Sequence, residues 1–285
     1  EGSDTGWRMY FQYLPDRGPW NRERMWYPYR ADEETTAVQP AYIVPPIINI
    51  ADGPSGLVCY PGIGLSDEYN GRFFMCDFRG ATGQSGIRHF EVKPKGATFE
   101  FVDHGWFIQS ILATDVDFGY DGKMYITDWV DGWDGPGKGR IYTFAKKDLR
   151  VEQTSQAVMR EDFKNLDNLR LTILCNHADR RVRLRAQFQL VRKESELELA
   201  ILASTARDHI SRLHGVWGLG QLLRQDKIDA NLLLSLLDDP SADVRAQVLK
   251  VLSDAKTEDA FGGFIQAVQN GTPREKYFAA IGLGR

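Results

Sequence analysis

The stretch Ile111–Phe144, ILATDVDFGYDGKMYITDWVDGWDGPGKGRIYTF, leaves few choices of fold. Three β-rich runs, Ala113–Phe118, Lys123–Trp129 and Arg140–Phe144, are separated by turn chemistry. The first two flank Gly119-Tyr120-Asp121-Gly122, whose Asp-Gly pair supplies the positive φ that a tight hairpin needs. The last two flank a longer loop rich in glycine and aspartate. Short antiparallel strands with this punctuation predict one blade of a β-propeller, or one sheet of a sandwich.

Residues 51–110 repeat the syntax. Gly56–Tyr60, Arg72–Asp77, Ile87–Val92 and Thr98–Val102 read as strands, with a flexible glycine-rich loop over Arg79–Gly86. Phe73–Asp77 and Met124–Asp128 are acid-ended strands about 51 residues apart, a spacing typical of propeller blades. Two blades do not close a ring, so either further blades lie upstream, as expected of an internal piece, or the sheet closes another way. Tyr42–Ile50 contains Pro45-Pro46 and reads as an edge strand, because proline cannot donate to a sheet ladder. Arg17–Arg30 interleaves charges with aromatics, but Asp32-Glu33-Glu34 cancel its basic character, and an ordered loop is expected there.

After Asp148 proline vanishes until Pro240, and Leu, Ala and Arg take up helical spacing. Four segments, 180–191, 209–220, 241–252 and 274–285, superpose with a small residue at Ala186, Gly215, Ala246 and Ala279, in steps of 29, 31 and 33 residues. That period suits helix–turn–helix repeats, and the small residues allow close helix approach. Asp239-Pro240-Ser241-Ala242-Asp243 is expected to stop one helix and cap the next. Val244-Arg245 after that aspartate resembles the signature of HEAT repeats, which stack in one dimension and present an extended surface to a protein partner. The expected organisation is mainly β over 1–148, a linker over 149–165 and an all-α, HEAT-like solenoid over 166–285.

Composition excludes several classes. A net charge of −4 with pI near 5.8 argues against a nucleic-acid surface. No apolar run approaches the ~20 residues of a membrane span. Cys59, Cys76 and Cys175 lack metal or haem spacing and are expected to be buried thiols.

In a propeller blade the innermost strand starts at one face of the ring, and the loop between the second and third strands returns to that face. Pro54-Ser55, the loop Arg79–Gly86, Thr114-Asp115 and the loop Asp128–Lys138 would converge there. Asp115 and Asp117 share one side of their strand. Asp128, Asp131 and Asp134 follow at three-residue spacing. Two carboxylates ~6 Å apart repel by about 3 kcal/mol at an effective dielectric near 20, so such a cluster needs a cation or basic partners. Lys138, Arg140 and Arg79 are candidate partners, and calcium held by Asp128, Asp131 and Asp134 is the alternative. Turn capping by the aspartates is a third reading. His89 and His104 are candidate bases or hydrogen-bonded surface histidines. No P-loop, dinucleotide fingerprint or Ser-His-Asp grouping is present.

The run PSGLVCYPG…EYNGRFFMCDFRG…GIRHFEVK…TDVDFGYDGKMYITDW…GRIYTF resembles the glucose/sorbosone dehydrogenase family of six-bladed propellers. With helical repeats following, it is similar to the planctomycete-type "membrane-bound dehydrogenase" proteins, where such a propeller precedes HEAT repeats and usually a cytochrome c domain. GSDTGWR looks like the Gly-x-x-x-Gly-Trp turn of the same family. The resemblance covers roughly residues 1–145. It implies a partial six-bladed propeller in a periplasmic or secreted sugar/alcohol-type oxidoreductase, passing electrons to haem c in a domain outside this sequence. It also implies pyrroloquinoline quinone on the face described above, with Arg79 near a cofactor-binding lysine. Asp115 matches the aspartate of an Arg-x-Arg-Asp segment whose arginine positions are here Leu112 and Thr114, and the catalytic histidine falls in blades outside the sequence. The alternative is a non-catalytic propeller and solenoid that binds carbohydrate or protein.

Overall fold

A first antiparallel sheet is built as a meander, in the order β1 (Pro54–Cys59), β2 (Phe73–Asp77), β3 (Gly86–Lys95) and β4 (Thr98–Gln109). It belongs to a computed structural model that describes residues 50–51, 53–131, 137–150 and 154–285. The stretches Arg17–Arg30 and Tyr42–Ile50, apart from Ile50, lie outside the described residues, as does Asp134. Within the sheet β2 is an inner strand, and four of its five residues are buried. Its register sets Phe73 opposite Phe90, the two rings stacked at 5.3 Å, with Phe101 of β4 stacked on Phe90 at 6.1 Å. Cross-strand aromatic pairs of this kind contribute roughly 0.2–1 kcal/mol each.

The β3–β4 hairpin is longer than the sequence suggests. The strand expected over Thr98–Val102 continues to Gln109, with Gly105 mid-strand opposite His89. A Cβ on Gly105 would sit 2.9 Å from His89 Nε2, so a larger residue there makes that ring shift.

The second sheet contains β5 (Ala113–Phe118), β6 (Met124–Asp128) and β7 (Arg140–Phe144), in that order. Burial alternates along β6, with Met124, Ile126 and Asp128 inward and Tyr125 and Thr127 outward. The expected Asp-Gly turn joins β5 to β6: Gly122 has φ +80°, and Asp121 Oδ1 accepts from Lys123 N at 3.2 Å.

Nine α-helices follow among the described residues: α1 (Gln156–Arg160), α2 (Asn168–Leu174), α3 (Arg180–Arg192), α4 (Glu196–Thr205), α5 (His209–Leu223), α6 (Asn231–Ser235), α7 (Ala242–Asp254), α8 (Phe261–Asn270) and α9 (Pro273–Leu283). Helix α5 packs on α4 and α9 on α8, while α3, α5, α7 and α9 pack successively on one another. Ala186, Ala246 and Ala279 are at most 1% exposed, and Gly215 is buried. A Cβ on Gly215 would lie 2.4 Å from Ala203 N, so α4 and α5 approach closely only because that position is empty. One continuous core of Leu, Val and Ala runs through the helices. Asp167, Asp179 and Asp208 cap α2, α3 and α5 through their side chains, and Thr272 with Glu275 forms a capping box on α9. At α7 the Ser241 side chain makes no cap bond, and Asp239 Oδ1 takes Ser241 N at 2.7 Å. No described helix is long and apolar enough to cross a membrane.

The chain divides into two compact units that interleave in sequence. One holds the stretch up to Cys59, Gly71–Asp117 and Tyr125–Thr143; the other holds Tyr60–Asn70, Phe118–Met124 and Phe144–Arg285. The loop after β1 and the β5–β6 turn therefore belong with the helices. Arg181 of α3 fastens that turn, donating to Phe118 O and, at 3.2 Å, to Gly119 O, with its guanidinium 4.5 Å over Tyr120. Arg183 donates to His177 O and Ala178 O at 2.7 and 2.9 Å, and Arg185 donates to Met159 O at 2.9 Å while covering Phe163. Three of the four arginines of RRVRLR are thus internal staples.

Candidate functional site

Asp77, at the end of β2, is fully buried. Burial alone would raise the pKa of this carboxyl. Bonds from Arg79 Nε at 3.1 Å, Arg88 Nε at 2.8 Å and Gly53 N at 3.4 Å outweigh that and hold it below the usual carboxylate range. Arg88 in turn stacks over Trp106, 3.9 Å from the ring centre. Next to this cluster Ser55 Oγ donates to Ala113 O at 3.4 Å, and a Cβ on Gly56 would lie 2.5 Å from Asp115 Oδ1. The structure therefore sets Gly53 against Asp77, and Ser55 and Gly56 against Ala113–Asp115.

The individual carboxylates differ in what they do. Asp115 and Asp117 are exposed and alternate with buried Val116 and Phe118, so they share one side of β5. Asp115 Oδ1 accepts from its neighbour Val116 N at 2.9 Å. Asp128 is 7% exposed and spends Oδ1 on Leu112 N at 3.1 Å and Val130 N at 2.9 Å. Val130 has φ +79°, a left-handed backbone that a β-branched residue adopts only under constraint. Asp128 thus pins a strained corner at the mouth of the acidic loop. Asp131 and Lys138 are exposed on that loop. Arg140 bonds Tyr142 Oη at 3.2 Å, and that bond, with help from Asp128, raises its pKa.

Asp128→Ala strands two backbone N–H groups and is expected to cost about 1–3 kcal/mol in urea unfolding. Exposed Asp115→Asn is expected to stay within about 0.5 kcal/mol of the parent in the same measurement.

Among the described residues no three of His, Cys, Asp or Glu are grouped to hold a metal ion. Burial, with a smaller effect from Asp115, pushes the Cys76 thiol up to about 12, and burial does the same for Cys175. Neither is a nucleophile at neutral pH. At pH 8 iodoacetamide is expected to label partly exposed Cys59 first and to reach Cys76 and Cys175 only on unfolding, as intact-mass measurement would show.

Asp77, Arg88 and Trp106 are absent from the candidates chosen from sequence. The acid at the end of β2 was a visible signal; the pairing of Arg88 and Trp106 across β3 and β4 was not. His89 and His104 lie on β3 and β4, where His89 Nδ1 is 3.0 Å from Arg72 Nη1 and the His104 ring stands 5.2 Å from Phe101.

No protein-family model, characterised protein or solved structure matches the chain.

Proposed function

We propose that the chain is part of a propeller and an incomplete HEAT-like solenoid from a sugar/alcohol-type dehydrogenase of the glucose/sorbosone dehydrogenase kind. In this reading the sheets present a polar substrate face, the helices dock a protein partner, and electrons pass to a haem domain elsewhere in a periplasmic or secreted protein. One observation carries the reading. Two antiparallel sheets follow in meander order, each with a buried acid ending its second strand, and stacked helices come after them.

Arg79, oriented by Asp77, is the residue proposed to meet an anionic group; Asp115 and Asp117 are proposed to meet substrate hydroxyls. The described residues do not fit pyrroloquinoline quinone, which carries three carboxylates. Leu112 is fully buried, Thr114 Oγ1 is engaged with Thr127 Oγ1 at 2.8 Å, and the Arg79 charge is matched by Asp77. No step is assigned to that cofactor.

The same observation favours a second reading, a non-catalytic platform for carbohydrate or protein. The test is sugar- and alcohol-dependent dye reduction by the full-length protein, with and without added quinone and calcium, beside calorimetric titration of the same sugars. Reduction that follows substrate identity supports the dehydrogenase. Saturable sugar binding without reduction transfers the conclusion to the platform, and neither signal overturns both.

A further inference from the structure

The helical unit contains a cavity of about 330 Å³ between α7, α8 and the start of α9. Leu237 supplies apolar lining, and Leu249, 1% exposed, lies beneath it in the core. One wall is a fixed ion pair. Arg245 Nε donates to Glu275 Oε1 at 2.6 Å and its Nη1 to Asp239 O at 2.7 Å, while Glu275, 4% exposed, accepts from Thr272 N at 2.8 Å. Exposed Asp238 adds a carboxylate, and the carboxamides of Gln266 and Asn270, four residues apart on one face of α8, complete the lining.

The lining limits the ligand. A phosphate or carboxylate needs a cation to spare, and the guanidinium here is already bonded to Glu275 and a backbone carbonyl. A wholly apolar ligand would strip water from Asp238 and both carboxamides without replacing their hydrogen bonds. The volume lies at the small end of ligand sites, roughly 300–1,000 Å³, enough for one ring rather than a chain. A carboxylate and two carboxamides match vicinal hydroxyls, with partly buried Leu237 available to a C–H face.

We propose that this cavity is a binding site for a neutral polyol of monosaccharide size. The proposal does not rest on the dehydrogenase reading, because the cavity lies wholly within the helical unit.

The test is titration of the isotope-labelled chain with D-glucose, D-galactose and myo-inositol, following the side-chain amide resonances of Gln266 and Asn270. Saturable millimolar shifts with at least one of the three are expected. Gln266→Ala and Asn270→Ala, both exposed, are each expected to weaken binding about three- to tenfold with unchanged melting. No saturable shift with any probe, or undiminished binding by the double variant, overturns the proposal. Dye reduction by the double variant reads the sheet face independently, so the two proposals fail separately.

Discussion

Asp179→Ala is expected to lower the unfolding free energy by about 3–5 kcal/mol, the usual consequence of removing one partner of a buried charge pair. Asp179 is fully buried and holds four donors. They are Arg181 N at 2.8 Å, Arg181 Nε at 3.0 Å, Arg181 Nη2 at 2.7 Å and Ser155 Oγ at 2.6 Å. Burial alone would raise its pKa, and these bonds reverse that. The side chain also caps α3, and it aims the guanidinium that fastens the β5–β6 turn. Its loss therefore strikes a helix start and a turn together. Urea titration should show a fall in midpoint with little change in slope. Removing the orphaned charge as well, in Asp179→Ala/Arg181→Ala, should cost less than the sum of the single changes. Strict additivity would mean that the pair acts only as two separate anchors.

Acidification is expected to cost the helical unit about 3 kcal/mol through His214 alone. This imidazole is 4% exposed, and burial, with Arg183 adding to it, lowers its pKa to about 4, against a smaller opposing pull from Asp208. Arg183 Nε donates to His214 Nε2 at 3.4 Å, so the proton sits on Nδ1, which donates to Gln187 Oε1 at 2.7 Å. The unfolded chain binds a proton below about pH 6.5, whereas the folded chain refuses it until about pH 4. Stability from this group is therefore complete above pH 6.5 and is lost as the pH falls from 6.5 to 4. His177, lowered chiefly by burial, adds in the same direction. Melting curves across that window should show the fall, and His214→Gln should flatten most of it. An unchanged slope in the variant would place the acid sensitivity elsewhere.

The division into a β part and an α part was legible because it rests on local chemistry. Asp121-Gly122 demands a turn whatever surrounds it. The alternation in Ala113–Phe118 needs only one buried face, and the spacing of Ala186, Gly215, Ala246 and Ala279 declares which side of each helix is approached. Those features depend on neighbours within a few residues, or on a repeat that the chain spells out.

The candidate site was legible only in part. Asp115 and Asp117 on one side of β5 follow from the period of a strand. That Asp128 would be consumed by the N–H groups of Val130 and Leu112, and Arg79 by Asp77, does not follow, because a spacing of two residues does not say whether the chain turns back on itself, and Leu112 is sixteen residues away. The arginines of α3 make the same point. Five basic residues on a helix look like a solvated or ligand-binding face until the carbonyls of residues 118, 119, 159, 177 and 178 are seen to receive three of them.

What the sequence determined by itself is therefore the division into strands and helices and the buried side of the most periodic ones, since these are set by propensity and periodicity along the chain, whereas the full length of β4 and the helix Gln156–Arg160 inside the expected linker were not legible. Which charges remain for a ligand, and which are consumed by the fold, was decided only by tertiary structure. A guanidinium or carboxylate makes its strongest bond with whatever group three-dimensional packing sets within about 3 Å of it.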